Sequence, residues 1–146
     1  MKNTRLTSIL NSSLIACALT IGSLASTQYA SAQSTTVAEV TIPFAFQTTN
    51  QTLPAGTYRI DRESGYLVRL QGPHSEGGFV IMHGTSKNRA ADHGSLVFDR
   101  YGDKYYLHQI WTAGSTDGLE CSKTRAEKES MQAKNNQAPS LIELAF

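Results

Sequence analysis

The sequence predicts an all-β protein, a small antiparallel barrel or sandwich of about six to seven strands with one C-terminal α-helix. Three observations lead to this prediction. Apolar and polar residues alternate from Val37 onward, and turn residues recur at short intervals. The segment 96–112 carries aromatic residues on both sides of a Gly-Asp pair. Alternation with a period of two is typical of half-buried strands, and closely spaced turns favour antiparallel pairing.

The N-terminus predicts a secretory signal peptide over residues 1–32. Lys2 and Arg5 precede a mostly apolar stretch, 9–25, and the small residues 30–32 form a cleavage site. A membrane-spanning helix needs about 20 continuous apolar residues, and this stretch is shorter and interrupted by polar residues. The pattern therefore favours a cleaved signal over a membrane anchor.

Cleavage after Ala32 would leave residues 33–146 as a single β domain without a transmembrane helix. We expect this domain to be exported, to the periplasm or to the extracellular space. An alternative is a lipoprotein anchored at Cys17, because the residues before it resemble a lipobox. The apolar run that continues after Cys17 does not favour this alternative.

The charge balance argues against nucleic-acid binding. The whole chain carries a formal net charge of +1, and loss of Lys2 and Arg5 leaves it close to neutral without a basic stripe. The expected partner is a protein or a small molecule. Cys121 would be a free thiol after cleavage, since no second cysteine remains to form an intramolecular disulfide. We expect it to be partly buried; the alternatives are an intermolecular disulfide, or a reactive thiol whose pKa is lowered by the neighbouring Lys123 and Arg125.

The first strand is predicted over 37–47. Pro43 lacks an N–H group, so this strand is expected at an edge or at a bulge. One parity of the alternation is apolar and faces the interior: Ala38, Val40, Ile42, Phe44 and Phe46. Pro54 and Gly56 then predict a tight turn before a strand with Tyr58 and Ile60 inward.

Two further strands are predicted before the aromatic-rich segment, which is expected to be a hairpin. With a loop at Gly102-Asp103, Phe98 faces Leu107 and Asp99 faces Tyr106. The alternation then assigns one face to the core: Leu96, Phe98, Leu107 and Trp111, with Tyr105 at its rim. Cross-strand pairs of this kind contribute about 0.2–1 kcal/mol each, so folding accounts for most of the aromatic residues. The inward set Phe44, Phe46, Phe98, Leu107 and Trp111 is bulky enough to fill a small barrel.

The other face of the hairpin supplies the candidate ligand-binding residues: Asp99, Tyr106 and His108. The predicted register brings Asp99 close to both partners. A carboxylate beside a histidine can orient a general base, and it can also be an ordinary polar sheet surface. Because no nucleophile accompanies them, no catalytic residue is assigned.

The C-terminal segment predicts a helix at about 123–134 and a last strand at 140–146. Thr124 and Glu127 fit a capping box, and the apolar stripe of the helix is thin, so the helix is expected to be largely solvated. The terminal alternation ending at Phe146 resembles an outer-membrane barrel strand. Short strands and charged outward positions argue against that alternative: Glu39, Arg59, Asp61 and Arg69.

The sequence carries no motif for a cofactor or a metal. The four histidines, at positions 74, 83, 93 and 108, have no metal-ligand spacing, and there is no phosphate loop, nucleophile elbow or C-x-x-C pair. We therefore predict neither a cofactor nor a metal site.

Four blocks resemble a family of small exported bacterial β-barrel or β-sandwich proteins: VTIPFAF, LPAGTYRI, LVFDRYGDKYYLHQIW and SKTRAEKE. The resemblance covers about residues 37–130, and LPAGTY and RYGDKYYL…W are its most specific parts. It implies export and a compact β fold. It implies no activity, so no catalytic residue is carried over.

These observations predict an exported, non-enzymatic protein that binds a partner or has a structural role in the cell envelope. Three alternatives remain at this point. One is a calycin-like barrel that binds a small apolar ligand. Another is a small hydrolase that uses the Asp99/His108 face. The third is a barrel associated with the outer membrane.

Overall fold

The computed structural model describes residues 35–73 and 76–146, which form eleven β-strands and one α-helix. The predicted signal peptide and Cys17 lie outside the described residues. The strands are β1 (Thr35–Ile42), β2 (Phe46–Gln47), β3 (Thr52–Leu53), β4 (Gly56–Ser64), β5 (Leu67–Gln71), β6 (Gly77–Ile81), β7 (His83–Ser86), β8 (Ser95–Tyr101), β9 (Lys104–Trp111), β10 (Asp117–Glu120) and β11 (Ser140–Ala145). The helix α1 spans Arg125–Ala133.

The strands form two sheets that pack face to face. The first sheet has the order β1-β4-β5-β6, and the second has the order β11-β8-β9-β10-β7, with β2 joining β3 and β9. Side chains from both sheets share one buried cluster, so the architecture is a sandwich. The all-β prediction with a C-terminal helix is confirmed. The described residues form eleven strands rather than the expected six to seven.

The first strand follows its predicted alternation. Ala38, Val40 and Ile42 are buried, and β1 is an edge strand that ends before Pro43. Its pairing with β4 contains a β-bulge at Val37, the extra residue between the paired positions 36 and 38. A second bulge lies in β4, where Glu63 is the extra residue opposite β5. Each bulge bends its strand and redirects a side chain.

The β8–β9 hairpin has the predicted register near its turn. Gly102 adopts a φ of 69°, the left-handed conformation that a glycine accepts without strain. Four cross-strand pairs are as expected: Phe98–Leu107, Asp99–Tyr106, Arg100–Tyr105 and Tyr101–Lys104. Beyond these pairs the register shifts, because Val97 pairs with Gln109 and His108 is left as the extra residue of a third bulge.

Because of this third bulge, the core differs from the predicted one at Ile110 and Trp111. Trp111 was expected to face the core between the sheets and Ile110 the outer side; the two faces are exchanged, although Trp111 is buried as well. Because the period of side-chain alternation is two, one extra residue exchanges the faces of everything that follows it. Ile110 therefore joins the main core, and Trp111 packs with Ala91 and Val97 in a separate small cluster. Gly118 leaves room for the indole ring, and Lys87 Nζ lies 4.3 Å from the ring centroid.

Aromatic rings fill the interior where the β8–β9 hairpin turns. Phe46 contacts Tyr58 and Phe98 edge-on at centroid distances of 5.3 and 5.4 Å. Phe44 packs edge-on to Phe98 at 5.2 Å and stacks on Tyr105 at 3.9 Å. The Tyr58 hydroxyl donates to the Pro54 carbonyl at 2.8 Å, which satisfies its only buried polar group. We call this region the aromatic end.

The helix lies against the outer face of the second sheet. Its N-cap is the predicted one, since the Thr124 hydroxyl accepts a hydrogen bond from the Glu127 N–H at 3.0 Å. Most of the helix is exposed, as expected, while Glu127 is buried against the sheet. No helix in the described ranges is long and apolar enough to cross a membrane. The last strand, β11, pairs with β8 along its whole length.

Side chains cover the free edge of β6. The Gln51 side-chain amide donates to the Gly77 carbonyl at 2.8 Å, and the Asn50 amide donates to the Phe79 carbonyl at 3.2 Å. These carbonyls belong to an edge strand and have no neighbouring strand on that side. The loop between β2 and β3 thus supplies hydrogen bonds that another strand would otherwise make.

Candidate functional site

The two sheets leave a cleft of about 340 Å³ at the end opposite the aromatic end. Its floor consists of four buried aliphatic side chains, two from each sheet: Ile60, Val68, Ile110 and Leu119. Val37 lines one side, and polar residues surround the opening: Arg62, Thr112, Ser115 and Asp117. The cleft therefore combines an apolar floor with a polar, partly charged rim.

All three bulges contribute to this cleft. The first places Val37 in its lining, and the second follows directly after Arg62. The third, at His108, places Ile110 rather than Trp111 in the floor. Had β9 continued its alternation from Leu107, the indole would face the interior and occupy this space. The cleft is a product of the strand geometry as much as of side-chain size.

The charged residues on the rim come from opposite sheets. Arg62 in the first sheet donates from Nε to the Gly65 carbonyl at 2.7 Å. Asp117 in the second sheet is held by its backbone, because its N–H donates to the Ser115 hydroxyl at 3.0 Å and its carbonyl accepts from that hydroxyl at 2.9 Å. Within residues 35–73 and 76–146, Arg62 forms no salt bridge and the Asp117 carboxylate has no partner.

A second group of polar side chains lies under the helix, on the outer face of the second sheet. We call it the Asp99 cluster; it comprises Asp99, His108, Glu120, Lys123 and Glu127. Asp99 is only 1% exposed, and its two oxygens contact His108 Nδ1 at 3.0 Å and Lys123 Nζ at 2.6 Å. Lys123 Nζ also donates to Glu127 Oε1 at 2.7 Å. The cluster joins β8, β9, β10 and α1.

The charges in the Asp99 cluster shift one another's protonation. Burial alone would raise the pKa of Asp99, but hydrogen bonds from His108 and Lys123 lower it to about 2. The hydrogen bond to Asp99 raises the pKa of His108 above its usual value, and burial raises the pKa of Glu127. Hydrogen bonds to the two carboxylates raise the pKa of Lys123 despite its partial burial. Asp99 is therefore a carboxylate that is fixed between two cationic groups.

The geometry of His108 suits a structural role. Its Nδ1 pairs with Asp99, and its Nε2 lies 3.6 Å from Glu120 Oε1. A general base needs a neutral nitrogen that faces a substrate, whereas both nitrogens here face carboxylates. Tyr106 also points away from the pair, since its hydroxyl contacts Ser130 Oγ at 2.8 Å and the Ala126 carbonyl at 3.2 Å.

Cys121 is a buried member of the main core. The thiol is buried, as the favoured interpretation of the sequence expected, and burial raises its pKa to about 12, which does not favour the alternative of a thiol activated by Lys123 and Arg125. Lys123 is committed to Asp99 and Glu127, and Arg125 pairs with Glu129. A thiol with such a pKa remains protonated at neutral pH and is a poor nucleophile.

Some of the predicted site residues are in contact, and residues that were not predicted lie beside them. Asp99 and His108 are in contact as the predicted register implied, while Lys123, Glu120 and Glu127 complete their cluster from segments that the sequence did not place beside them. His83 and His93 each lie 3.9 Å from a glutamate, Glu120 and Glu143 respectively. Among the residues that the structure describes, no group of three or more potential ligands could hold a metal ion. No pattern in the sequence predicted a cleft lined by Arg62 and Asp117.

The fold and the cleft define a β-sandwich that is open at one end. Comparisons with known protein families, curated proteins and solved structures found no match to this chain. The resemblance to small exported bacterial proteins stays a prediction from the sequence.

Proposed function

We propose that this chain is an exported, non-catalytic binding protein whose small ligand occupies the cleft between the two sheets. The observation that carries the proposal is the cleft itself, with its volume of about 340 Å³ and its aliphatic floor. Ligand-binding pockets are commonly about 300–1,000 Å³, mostly apolar, with a few polar groups that orient the ligand. The cleft lies at the lower end of that range and suits a compact ligand.

The inner faces of two packed sheets usually interdigitate closely, whereas this end of the sandwich leaves a space between them that is partly open to solvent. The aromatic end shows that this chain can pack its interior closely. At the cleft end the one large side chain of β9, Trp111, lies on the outer face. The placement of Trp111 away from the cleft supports a binding role for the space that remains.

Two observations favour binding over catalysis. Both nitrogens of His108 face carboxylates, and Cys121 is a buried thiol with a raised pKa. The Asp99 cluster thus supports the sheet and the helix without presenting a reactive group. Export is proposed from the signal-like pattern of residues 1–32, together with the resemblance described above.

The test uses the purified chain and the fluorescent probe 1-anilinonaphthalene-8-sulfonate, which has an apolar body. The variant Val37→Trp places an indole at the lining of the cleft. The matched control is Glu39→Trp, which places the same indole on the exposed surface of the same strand. We expect Val37→Trp to abolish probe binding and Glu39→Trp to leave it unchanged.

Native mass spectrometry of the wild-type chain provides an independent measurement, because a bound small molecule adds a defined mass. The proposal fails if the probe binds Val37→Trp as well as it binds the wild type. It also fails if the wild-type chain binds neither the probe nor any co-purifying small molecule.

A further inference from the structure

We infer that the ligand of this cleft is a small zwitterion with both charged groups at one end and an apolar body at the other. This is the charge layout of an apolar amino acid. The inference rests on the proposed function and adds the chemical class of the ligand. It follows from the positions of Arg62 and Asp117 on the rim and of the aliphatic floor beneath them.

The rim presents two opposite charges from two opposite walls. Arg62 extends from β4 in the first sheet, and Asp117 begins β10 in the second. No salt bridge joins them in the described part of the chain, although both line the same cleft. An anionic group of a ligand would contact Arg62, and a cationic group would contact Asp117.

Local structure holds each of these residues in place. The hydrogen bond from Arg62 Nε to the Gly65 carbonyl anchors the guanidinium on its inner nitrogen, so its terminal nitrogens can face a carboxylate. The reciprocal hydrogen bonds between Ser115 and Asp117 fix the turn that carries the carboxylate. The restrained Arg62 side chain and the fixed backbone of Asp117 both lose less freedom on binding, which favours affinity.

The floor of the cleft offers only carbon atoms to the rest of the ligand. Ile60 and Val68 from the first sheet face Ile110 and Leu119 from the second. Burying a polar group there without a hydrogen bond would be unfavourable, whereas burying an aliphatic or aromatic group is favourable. The apolar body therefore belongs on the floor and the charged head group at the rim.

The test compares four probes that share one apolar body. Phenylalanine is the zwitterion, N-acetylphenylalanine the anion, phenylalanine amide the cation, and N-acetylphenylalanine amide the neutral form. Isothermal titration calorimetry on the purified chain measures each dissociation constant. We expect phenylalanine to bind most tightly and the neutral form most weakly.

Two substitutions assign the two charges. Arg62→Gln should weaken binding of phenylalanine and N-acetylphenylalanine about tenfold, and it should not affect phenylalanine amide. Asp117→Asn should weaken phenylalanine and phenylalanine amide by a similar factor and spare N-acetylphenylalanine. Arg100→Gln is the matched control for the arginine, because Arg100 Nε also donates to a glycine carbonyl in a hairpin turn, that of Gly102. Asp103→Asn is the control for the aspartate at an exposed turn outside the cleft.

The outcomes separate this inference from the proposed function. Equal affinities for all four probes, or no effect of either rim substitution, would overturn the zwitterion and leave the cleft as a binding site. The same holds if no phenylalanine probe binds while 1-anilinonaphthalene-8-sulfonate binds the wild type and not Val37→Trp. If neither the phenylalanine series nor the fluorescent probe binds, and no small molecule co-purifies, both conclusions fall together.

Discussion

The two ends of this sandwich are made from the same strands and differ in what lies between the sheets. On β4 the inward residues change from Tyr58 to Ile60 and then to Arg62. On β9 they change from Tyr105 and Leu107 to Ile110. The aromatic end is packed with rings, and the cleft end contains about 340 Å³ of space.

This difference shows that side-chain size and strand geometry together determine which end of the interior is filled. Aromatic residues close one end because their rings meet edge-on across the sheets. The other end stays open because the bulge at His108 directs Trp111 outward and because the remaining inward residues are aliphatic. The Asp99 cluster holds this bulge in place, because its extra residue, His108, is hydrogen-bonded to Asp99 and lies close to Glu120.

The largest expected effect on stability comes from truncating a leucine at the aromatic end. Leu107 and Leu119 are nearly equally buried, at 4% and 5% exposure, but only Leu119 lines the cleft. We expect Leu107→Ala to lower the free energy of unfolding by about 3–4 kcal/mol, because it leaves a cavity among packed side chains. Leu119→Ala should cost only about 2 kcal/mol, since it enlarges a space that already exists. Urea unfolding measures both, and equal losses would contradict the distinction between the ends.

A somewhat smaller effect is expected where the bulge is fixed. Asp99→Asn keeps the shape of the side chain and removes the charge that faces His108 and Lys123. The free energy of unfolding should fall by about 2–3 kcal/mol, because two charge-assisted hydrogen bonds in a buried setting are weakened. The control is Arg125→Gln, which breaks the exposed Arg125–Glu129 pair and should cost less than about 0.5 kcal/mol. Similar losses for the two variants would mean that the Asp99 cluster does not stabilise the fold.

The pH dependence of stability gives a third measurement at the same bulge. The raised pKa of His108 means that its contribution is complete below 6.5, its ordinary value, and is lost as the pH rises through the folded-state pKa. Asp99 acts in the opposite direction: its contribution is present above 3.8 and is lost as the pH falls toward about 2. The contact between Asp99 and His108 should therefore be most stabilising between these limits, where Asp99 is ionised and His108 is charged. Glu120 also faces His108, and Lys123 donates to the other oxygen of Asp99.

The variant His108→Gln should remove the alkaline part of this dependence. We expect the wild type to lose about 1 kcal/mol between pH 6 and pH 9, and the variant to show little change over that interval. Urea unfolding at several pH values measures this loss. An unchanged pH profile in the variant would assign the titration to another group.

The smallest effect is expected at the lining of the cleft. Val37→Phe adds volume at a position where the structure already has space, so the free energy of unfolding should change by no more than about 0.5 kcal/mol. A comparable enlargement in a packed interior costs about 1–3 kcal/mol. Thermal unfolding of the variant measures the change, and a loss in the larger range would show that the cleft end is as tightly packed as the aromatic end.

Local sequence patterns predicted much of this fold. The alternation over β1, the turn at Gly102, the four hairpin pairs nearest that turn and the Thr124 N-cap all depend on neighbouring residues. Each was predicted correctly for that reason. The contact between Asp99 and His108 followed from the same hairpin register.

The features that were not predicted depend on contacts between segments that are distant in the sequence. A β-bulge has no clear signature in side-chain type, so nothing in the sequence indicated that His108 would exchange the faces of Ile110 and Trp111. Arg62 and Asp117 are far apart in the chain and line the same cleft only because the two sheets pack together. The carboxylate of the buried Glu127 accepts a hydrogen bond from Lys123, and Lys123 also donates to Asp99 on β8. This contact between the helix and the sheet joins residues that are distant in the chain.

The hydrogen bonds that the side chains of Asn50 and Gln51 make to the edge of β6 have a consequence at high protein concentration. An uncovered strand edge is a template on which further copies can assemble into amyloid-like fibrils. Here the carbonyl groups of Gly77 and Phe79 are already hydrogen-bonded within the chain, so fibril growth at that edge would first have to displace them. Two polar side chains thereby protect this edge from assembly in a molecule whose regular structure is mostly strands.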